Sequence, residues 1–336
     1  MQAFTPRATR NHHPSTASAA GAPSPRAKSE RVVIPAEASD CELLIGRRKV
    51  RLTNLKKIFW PDCGITKRDL LQYYADVSPV LLPHLTDRAM VMKRYPNGAT
   101  GKCFFMKRAP SPRPEWIETC SIEHSSGNII DFPMVQDLPS LLWLVNLGCI
   151  DLNPWYARCD DVDRPDYLHF DLDPVPGATF ENVRDTALIV RSALEGLDMQ
   201  PLVKTTGSRG IHVYIAIARG PTQKDVWRFA KQFANDLAKL EPKLMTAVYR
   251  VAERPAGRVL LDYNQNAWGR TLASIYSPRP KPRAPVSAPL TWQELEEGAD
   301  IDDFRIDNTP ARVRALGDLW APLLAKRGRF DLKRFL

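Results

Sequence analysis

The 336-residue sequence lacks the patterns of a membrane protein and of a zinc-binding protein. No apolar run reaches the ~18 residues of a membrane span, and there is no apolar core of a signal peptide. The six cysteines include no C-x-x-C pair, and none stands beside a histidine at zinc-ligand spacing. Scattered thiols of this kind favour a reducing cytoplasm. The sequence also contains no internal repeat.

The composition is that of an ordinary folded protein with an excess of basic residues. Hydrophobic residues make up 44% of the chain and charged residues 25%, which is typical of a soluble globular protein with a large core. Lysine and arginine outnumber aspartate and glutamate by 47 to 38, a formal net charge of +9. This excess favours a polyanionic partner, nucleic acid before a membrane surface.

Residues 1–40 differ from the rest of the chain in composition. They are rich in alanine, serine, proline, arginine and histidine and poor in bulky apolar residues. Such a segment buries too little apolar surface to fold, so we predict a disordered basic tail, with order beginning near Leu43. An organelle transit peptide has a similar composition and is the alternative.

Hydrophobic periodicity predicts a mixture of strands and helices in the remainder. Thr66 is placed to cap an amphipathic helix, and further helical patterns alternate with short β-prone runs in the second half of the chain. This alternation predicts an α/β or α+β sheet protein. The predicted helices are 67–78, 138–147, 180–197, 222–239 and 292–297, and the predicted strands are 48–53, 90–94, 102–107, 168–172, 202–205, 211–217 and 259–261.

Two carboxylates stand two residues apart in the apolar run 167–174. Because side chains alternate along a strand, Asp171 and Asp173 are expected on one face, with Phe170 and Leu172 on the other. Two neighbouring acids repel each other and are costly to bury, and divalent metal ions would relieve that cost. Pro174 then ends the strand, since it has no N–H for the sheet.

A third acid, Asp262, ends the short apolar run 259–261. If that strand lies beside the first, three carboxylates converge, and such oxygen ligands select Mg²⁺ or Mn²⁺. Two such ions support in-line phosphoryl transfer. The alternative is that these acids only cap strand or helix ends.

The turn at 204–212 has the residues of a phosphate site. Its glycines allow the backbone N–H groups to approach a phosphate, and Arg209 can bind phosphate with two hydrogen bonds. His212 opens the next strand on the same side. Such a turn usually has no ligand, and such a histidine is usually structural. The position of both, one crossover after the acid pair, favours a phosphate-binding site.

Three further groups combine basic with aromatic or polar side chains. Lys93 and Arg94 precede Phe104 and Phe105, a pattern typical of base stacking, although a hydrophobic hairpin would show the same residues. Clustered lysines near a helix start suit a phosphate, although solvated lysines are commoner; this cluster comprises Asn54, Lys57 and Lys67. A basic stretch after Asp262 contains Gln265, Arg270, Arg279, Lys281 and Arg283.

Taken in order, these motifs resemble the polymerase domain of bacterial ligase D, in the archaeo-eukaryotic primase superfamily. The resemblance covers about residues 45–300. It is carried by Leu52-Thr53-Asn54 with Lys57, Phe59-Trp60-Pro61 and Lys67; Lys93-Arg94-Tyr95-Pro96-Asn97-Gly98; Phe104-Phe105; Phe170-Asp171-Leu172-Asp173-Pro174; Thr206-Gly207-Ser208-Arg209-Gly210-Ile211-His212-Val213-Tyr214; and Asp262-Tyr263-Asn264-Gln265-Asn266 with Tyr276-Ser277.

The resemblance implies an α+β (mixed α/β) primase-polymerase core over residues 41–300. Central antiparallel or mixed sheets would be flanked by helices, with two sub-lobes around an active-site cleft. Residues 301–336 would form a C-terminal extension packed on or near this domain. The ligase and phosphoesterase domains of ligase D are absent from the sequence, and with Met1 at its start we expect a stand-alone polymerase.

The resemblance also implies a nucleotidyltransferase of non-homologous end joining. It would fill gaps and extend 3′ ends at DNA breaks, with two Mn²⁺ or Mg²⁺ ions and a preference for ribonucleotides. Implied partners are gapped, nicked or broken DNA with a 5′-phosphate, NTP or dNTP, the end-binding protein Ku and a separate ATP-dependent DNA ligase. We expect a monomer in the cytoplasm, at the bacterial nucleoid, with no membrane association.

Roles carry over to matching positions of this chain. The metals would be bound by Asp171, Asp173 and Asp262; the nucleotide by Lys93, Thr206, Ser208, Arg209, His212, Arg254, Gln265 and Arg279; the template by Phe104 and Phe105; and a 5′-phosphate by Asn54, Lys57 and Lys67. Asn153 stands where many relatives have a histidine near the nucleotide sugar.

Rival functions are a true primase that starts chains without a primer, and a non-catalytic module that binds DNA ends. The acid trio disfavours the second. A metal-dependent nuclease would not need the turn with its following histidine.

Overall fold

A six-stranded mixed sheet is the centre of the structure, a computed structural model that describes residues 31–124 and 126–336. In chain order the strands are β1 Cys41–Ile45, β2 Arg48–Leu52, β3 Ile58–Trp60, β4 Ile65–Thr66, β5 Met90–Arg94, β6 Phe104–Met106, β7 Thr119–Glu123, β8 Ile129–Pro133, β9 Cys149–Pro154, β10 Tyr167–Pro174, β11 Pro201–Thr205, β12 Ile211–Ala216, β13 Met245–Thr246, β14 Val259–Asp262 and β15 Pro289–Leu290. The helices in these residues are α1 Lys67–Leu85, α2 Leu138–Asn146, α3 Phe180–Glu195, α4 Gln223–Leu240, α5 Trp292–Glu296, α6 Thr309–Leu316 and α7 Ala321–Leu324.

The central sheet has the strand order β13-β14-β10-β12-β11-β15. Its neighbours are antiparallel except β13 and β14, which are parallel. A second sheet of three antiparallel strands has the order β6-β5-β9, and three two-stranded pairs complete the β-structure of the described residues. The predicted mixed α/β fold is therefore confirmed.

Strand β10 separates the apolar core from the polar side of the central sheet. Leu168, Phe170 and Leu172 are fully buried, and the Phe170 ring lies 4.9 Å from that of Phe233 on α4. The alternate residues of the strand face the other way. The alternation read from the sequence thus puts Asp171 and Asp173 on the side away from α4.

The first helix is longer than its sequence pattern predicted. Thr66 and Asp69 form a capping box at its start, as the sequence indicates. The helix was predicted to end at residue 78, but it continues through Pro79 and Pro83 to Leu85. Burial of apolar side chains in this last part, with Leu85 fully buried, outweighs the hydrogen bonds that the prolines cannot make.

The packed part of the chain begins earlier than predicted. Most of the proposed tail, residues 1–30, lies outside the described residues. Ile34, however, is fully buried, and its backbone N–H donates to Gln72 Oε1 (2.9 Å) while its carbonyl accepts from Arg68 Nε (3.1 Å). The core therefore includes a residue well before Leu43, because Ile34, in the short apolar run 32–36, finds an apolar site beside α1.

The residues after 300 pack against the central sheet. Trp320 is buried, and its indole N–H donates to the carbonyl of Val203 in β11 (3.1 Å). The Arg329 guanidinium donates to the carbonyl of Asp166 (2.6 Å), and Asp318 pairs with His84 at 2.9 Å. The C-terminal residues thus form part of the same packed unit, which runs from Val32 to Leu336.

Cys120 and Cys159 form a disulfide bridge across 39 residues of sequence. Cysteine spacing did not indicate this pairing, which depends on the position of β7 beside the segment after β9. Disulfides are rare in reducing compartments, so the cysteines no longer support the predicted reducing environment. Of the four other cysteines, only Cys149 is buried. None of the helices described here combines the length and apolar character needed to cross a membrane.

Candidate active site

A polar cavity of about 480 Å³ lies between the two sheets. This volume is within the usual range for small-molecule sites. Five cationic side chains and three carboxylates are among its lining residues, which favours an anionic ligand with attached cations. The lining residues with charged or polar side chains are Lys93, Lys107, Asp151, Asn153, Asp171, Asp173, Thr206, Ser208, Arg209, His212, Gln265, Arg270, Thr271 and Arg279.

A row of titratable side chains crosses four adjacent strands of the central sheet, and its two middle members, His212 and Asp171, line this cavity. The strand register places Lys204 of β11 opposite His212 of β12, His212 opposite Asp171 of β10, and Asp171 opposite Asp262 of β14. Residues directly opposite one another in a sheet present their side chains on the same face. The sheet therefore brings together acids that are 91 positions apart in the sequence numbering, Asp171 and Asp262.

Both acids of the sequence pair have raised pKa values. Burial, and secondarily the nearby Asp262 carboxylate, raises the pKa of Asp171 to about 7. Burial, followed by repulsion from Asp171, raises the pKa of Asp173 to about 7. Ionising the two carboxylates together is thus unfavourable unless positive charge is supplied.

The residues present fit a divalent cation at this point. Asp171 is buried, and its Oδ1 has no hydrogen-bond partner within the described ranges, although His212 Nε2 lies 3.1 Å from it. Asp262 accepts hydrogen bonds from the Asn264 N–H (2.9 Å) and from Gln265 Nε2 (3.0 Å). Within the part of the chain that the structure describes, no three acidic, histidine or cysteine side chains are grouped as a metal-ligand set, because the Asp262 carboxylate is bonded within its own loop.

His212 is buried and held neutral. Burial, with the charges of Lys204 and Arg279, lowers its pKa well below the ordinary value. Its Nδ1 has no hydrogen-bond partner among the described residues. A neutral imidazole can offer a donor or an acceptor to a ligand, depending on the tautomer.

The turn between β11 and β12 differs from the predicted phosphate cradle. The N–H groups of Ser208, Arg209 and Gly210 all donate to Thr206 Oγ1, at 3.1, 3.2 and 3.0 Å. A side-chain oxygen thus occupies the place that the sequence reading gave to a phosphate. The turn instead presents the side chains of Thr206, Ser208 and Arg209 to the cavity.

Two glycines of this turn are required by close packing. A Cβ at Gly210 would lie 2.1 Å from the carbonyl oxygen of Leu172. Gly207 has a φ of +62°, and its Cβ would lie 2.8 Å from Arg279 Cγ and from the Ser287 backbone nitrogen. Both positions let the turn approach the neighbouring backbone closely.

The predicted cations Lys93 and Arg279 both line the cavity, and both lie close to one carboxylate. Arg279 donates from Nη1 to the carbonyl of Thr206 (2.6 Å). Lys93 Nζ lies 5.3 Å from the Tyr95 ring centroid and 5.7 Å from that of Phe105. Asp151 is close to both cations, with Oδ2 3.6 Å from Lys93 Nζ and 3.7 Å from Arg279 Nε.

The two phenylalanines of β6 are exposed. Phe104 is 43% and Phe105 65% exposed, so neither is buried as in a hydrophobic hairpin. The register pairs Phe105 with Lys93 and Phe104 with Arg94, and Phe105 lines the cavity. Exposed rings beside cations are suited to stacking on bases.

A second polar cluster lies at the start of α1. The backbone N–H of Lys57 donates to the Asn54 carbonyl (3.0 Å), and that of Lys67 donates to the Lys57 carbonyl (2.8 Å). Lys67 is buried and donates from Nζ to the carbonyl of Thr53 (2.7 Å). Burial, together with the charges of Lys57 and Arg94, lowers the pKa of Lys67 to about 8. The three predicted 5′-phosphate residues thus do lie together.

The structure does not bring Arg254 to the cavity. Its guanidinium donates to the carbonyls of Val248 (3.1 Å) and Tyr249 (2.9 Å), because the loop around it folds back on itself. Asn153 does line the cavity, and its Nδ2 donates to the carbonyl of Asp151 (3.2 Å).

Comparison with known proteins accounts for this arrangement. The family model for the primase-polymerase domain of LigD matches residues 66–320. The chain belongs to the LigD primase-polymerase family. The resemblance drawn from the motifs is thereby confirmed.

The curated relatives in this family are longer than the present chain. The chain is 34% identical over 277 residues to the multifunctional non-homologous end joining protein LigD of Mycolicibacterium smegmatis. The aligned region covers 82% of this chain and 36% of that protein. The chain is 29% identical over 270 residues to the bifunctional LigD of Bacillus subtilis, covering 80% of this chain and 43% of that protein. The chain therefore spans less than half the length of these curated relatives.

A solved structure has the same fold. The polymerase domain from Mycobacterium tuberculosis ligase D, in complex with DNA, superposes with a TM-score of 0.78 at 29% identity. The match covers 82% of this chain and 98% of that domain.

Four residues of the site in this LigD primase-polymerase domain were given no contact of their own from the sequence, although Arg270 and Lys204 belong to segments that it singled out. Asp151, Lys107 and Arg270 line the cavity. Lys204 lies behind it, fully buried, and donates from Nζ to the Ala273 carbonyl (3.1 Å) and to Ser287 Oγ. The alternation of strand β11 was a signal for Lys204, since Lys204 lies two residues before Thr206; no comparable signal marks Asp151.

Proposed function

We propose that this chain is a template-dependent nucleotidyltransferase that fills gaps and extends 3′ ends at DNA breaks in non-homologous end joining. The observation that supports it most is the placement of Asp171, Asp173 and Asp262 on one sheet face, beside a cavity with Lys93, Arg209 and Arg279. Carboxylates and cations arranged in this way suit a nucleoside triphosphate with attached metal ions. The names of the LigD relatives and of the DNA-bound neighbour agree with this reaction class.

In the proposed reaction the oxygen of a primer 3′-hydroxyl bonds to the α-phosphorus of the nucleotide. The bond from that phosphorus to the bridging oxygen of the β-phosphate breaks, pyrophosphate leaves, and the hydroxyl proton passes to solvent. Two Mn²⁺ or Mg²⁺ ions, held by Asp171, Asp173 and Asp262, would favour ionisation of the hydroxyl and offset the charge on the leaving group. Lys93, Arg209 and Arg279 would bind the phosphate oxygens, largely by position and charge.

The polymerase role also requires contacts to DNA. Phe104 and Phe105 would stack on the templating side, since their rings are exposed at the cavity. Asn54, Lys57 and Lys67 would bind the 5′-phosphate at the far edge of a gap, beside the N-terminus of α1. We propose that the protein acts as a monomer at the bacterial nucleoid, prefers ribonucleotides, and works with Ku and a separate ATP-dependent ligase.

Gap filling by the purified protein tests the proposal. A labelled primer on a template with a short gap is extended with ATP, GTP, CTP and UTP or with the four deoxynucleotides, in Mn²⁺ or in Mg²⁺. Each reaction is run with and without a 5′-phosphate on the downstream strand. The controls are Asp171→Asn, expected to extend no primer, and Asp160→Asn, a substitution of an exposed acid paired with Arg219 that should change nothing.

The outcomes are distinct. Extension that depends on Asp171 and improves with the 5′-phosphate supports gap repair. Binding of the gapped DNA without extension in either metal refutes a polymerase and favours an end-binding module. Extension on a template without any primer identifies a primase, and loss of label from the 3′ end identifies a nuclease.

A further inference from the structure

Asp151 is a buried carboxylate that the reaction proposed above does not use. It lies in β9 and is 2% exposed. Its Oδ1 has no hydrogen-bond partner among the described residues. A buried carboxylate without hydrogen bonds is costly unless nearby cations offset its charge. Here the compensating groups are Lys93 and Arg279, whose Nζ and Nε lie 3.6 and 3.7 Å from Oδ2.

An irregularity in the smaller sheet creates this contact. In the β5–β9 pair, Met92 lies opposite Leu152 and Arg94 opposite Cys149, so one residue of β5 faces two of β9. Such a bulge changes the direction in which a side chain points. Ile150 is fully buried in the core, whereas Asp151 reaches the cavity beside Lys93.

The two cations depend on Asp151 to different degrees. Arg279 is also held by its hydrogen bond to the Thr206 carbonyl. For Lys93, Asp151 is the only acidic partner in the described part of the chain, and its other neighbours are the Tyr95 and Phe105 rings. Without Asp151, the lysine side chain would be free to turn toward solvent, since it is already 21% exposed.

We propose that Asp151 is a positioning residue for the nucleotide triphosphate: it holds Lys93 and Arg279 as neighbours, so that both contact the phosphates. This inference rests on the proposed nucleotidyl transfer. The inference predicts a change in KM opposite in sign to the change expected if the Asp151 carboxylate only repelled the nucleotide. A carboxylate that only repelled the triphosphate would weaken nucleotide binding, and its removal would lower KM. A positioning carboxylate strengthens binding, and its removal raises KM.

The test is the steady-state KM and kcat for ATP in gap filling with Mn²⁺. Asp151→Asn, which keeps the size and removes the charge, should raise KM about tenfold, the effect of losing one charge-assisted contact, and should change kcat less. Asp151→Glu should restore part of the affinity. The matched control is Asp318→Asn, another ion-paired acid, which should leave KM unchanged. An unchanged or lower KM in Asp151→Asn overturns the proposal.

A double-mutant cycle tests whether Asp151 acts through Lys93. In a Lys93→Met background, Asp151→Asn should raise KM by a clearly smaller factor than in the unmutated protein, and equal factors would overturn the proposal. If Asp151→Asn does not unfold cooperatively in a melting experiment, the cycle uses Asp151→Glu. This variant too should raise KM by a smaller factor in the Lys93→Met background, and equal factors would overturn the proposal. Calorimetric titration of ATP with Mn²⁺ separates this inference from the proposed function: if the unmutated protein binds ATP but extends no primer, the ratio of dissociation constants still tests Asp151.

Discussion

Replacing Asp171 by asparagine should abolish primer extension and stabilise the metal-free protein. The pKa of Asp171 is raised from 3.8 to about 7 by burial and by Asp262. At about 1.4 kcal/mol per pKa unit, the ionised carboxylate costs the folded state up to about 4 kcal/mol at pH 8. A buried amide offsets part of this gain, so we expect about 2–4 kcal/mol. For a protein of this size the melting temperature should rise by about 3–6 °C.

The sign of the pH dependence is part of this prediction. At a pH below 3.8 the Asp171 carboxyl is protonated in both the folded and the unfolded chain, and the substitution changes little. Between 3.8 and about 7 only the unfolded chain ionises, so the unmutated protein loses stability as pH rises. Above about 7 the loss is complete, and the variant has its full advantage.

Differential scanning calorimetry at pH 4.5 and pH 8, with a chelator present, measures this effect. Mn²⁺ should then raise the melting temperature of the unmutated protein more than that of the variant, because the metal binds the folded acids. An Asn variant no more stable than the unmutated protein at pH 8 would refute the claim that these carboxylates are held together at a cost. A stability difference that is equal at both pH values would refute its assignment to Asp171.

Three further predictions concern the surroundings of the site. Lys67→Ala should lower about tenfold the ratio of affinities for gapped DNA with and without a 5′-phosphate. Fluorescence anisotropy measures both affinities, and Lys56→Ala, at an exposed lysine, is the control. Since the pKa of Lys67 is about 8, this ratio should also fall in the unmutated protein as pH rises through that value. Phe105→Ala should weaken binding of a primed template by about 1–3 kcal/mol without changing the melting temperature, whereas Phe335→Ala, which removes another exposed ring, should not affect DNA binding. Lys204→Ala should lower the unfolding free energy by about 2–4 kcal/mol in urea titrations, because it leaves a cavity and two unpaired acceptors under the site.

Strand alternation was enough to predict the local part of the acid cluster. A two-residue spacing in an apolar run places Asp171 and Asp173 on one face in any regular strand. That Asp262 lies opposite Asp171 depends on the pairing of β10 with β14, and no local pattern fixes the register of two strands so distant in sequence. The family resemblance supplied the third acid where the physical pattern alone left alternatives.

The remaining differences have local causes that spacing does not reveal. The turn after β11 was expected to offer N–H groups, but Thr206 Oγ1 accepts them; a threonine can bond either to its own turn or to a ligand, and sequence does not decide between them. Asp151 occurs in a run that suggests an ordinary buried strand, and a bulge turns it into the cavity. Arg254 was assigned to the nucleotide from the family resemblance, but its guanidinium donates to carbonyls of its own loop.

The anchoring of Trp320 on β11 has a practical consequence for anyone who prepares shorter versions of this protein. The indole is held at Val203, one residue before the lysine that underlies the acids. A version truncated after residue 300 would keep every side chain that lines the nucleotide cavity, yet it would expose the neighbouring part of the same sheet face, where the Trp320 ring packs 4.8 Å from that of Tyr214. Loss of activity in such a version would then report a loosened sheet and would wrongly suggest that the C-terminal residues take part in chemistry.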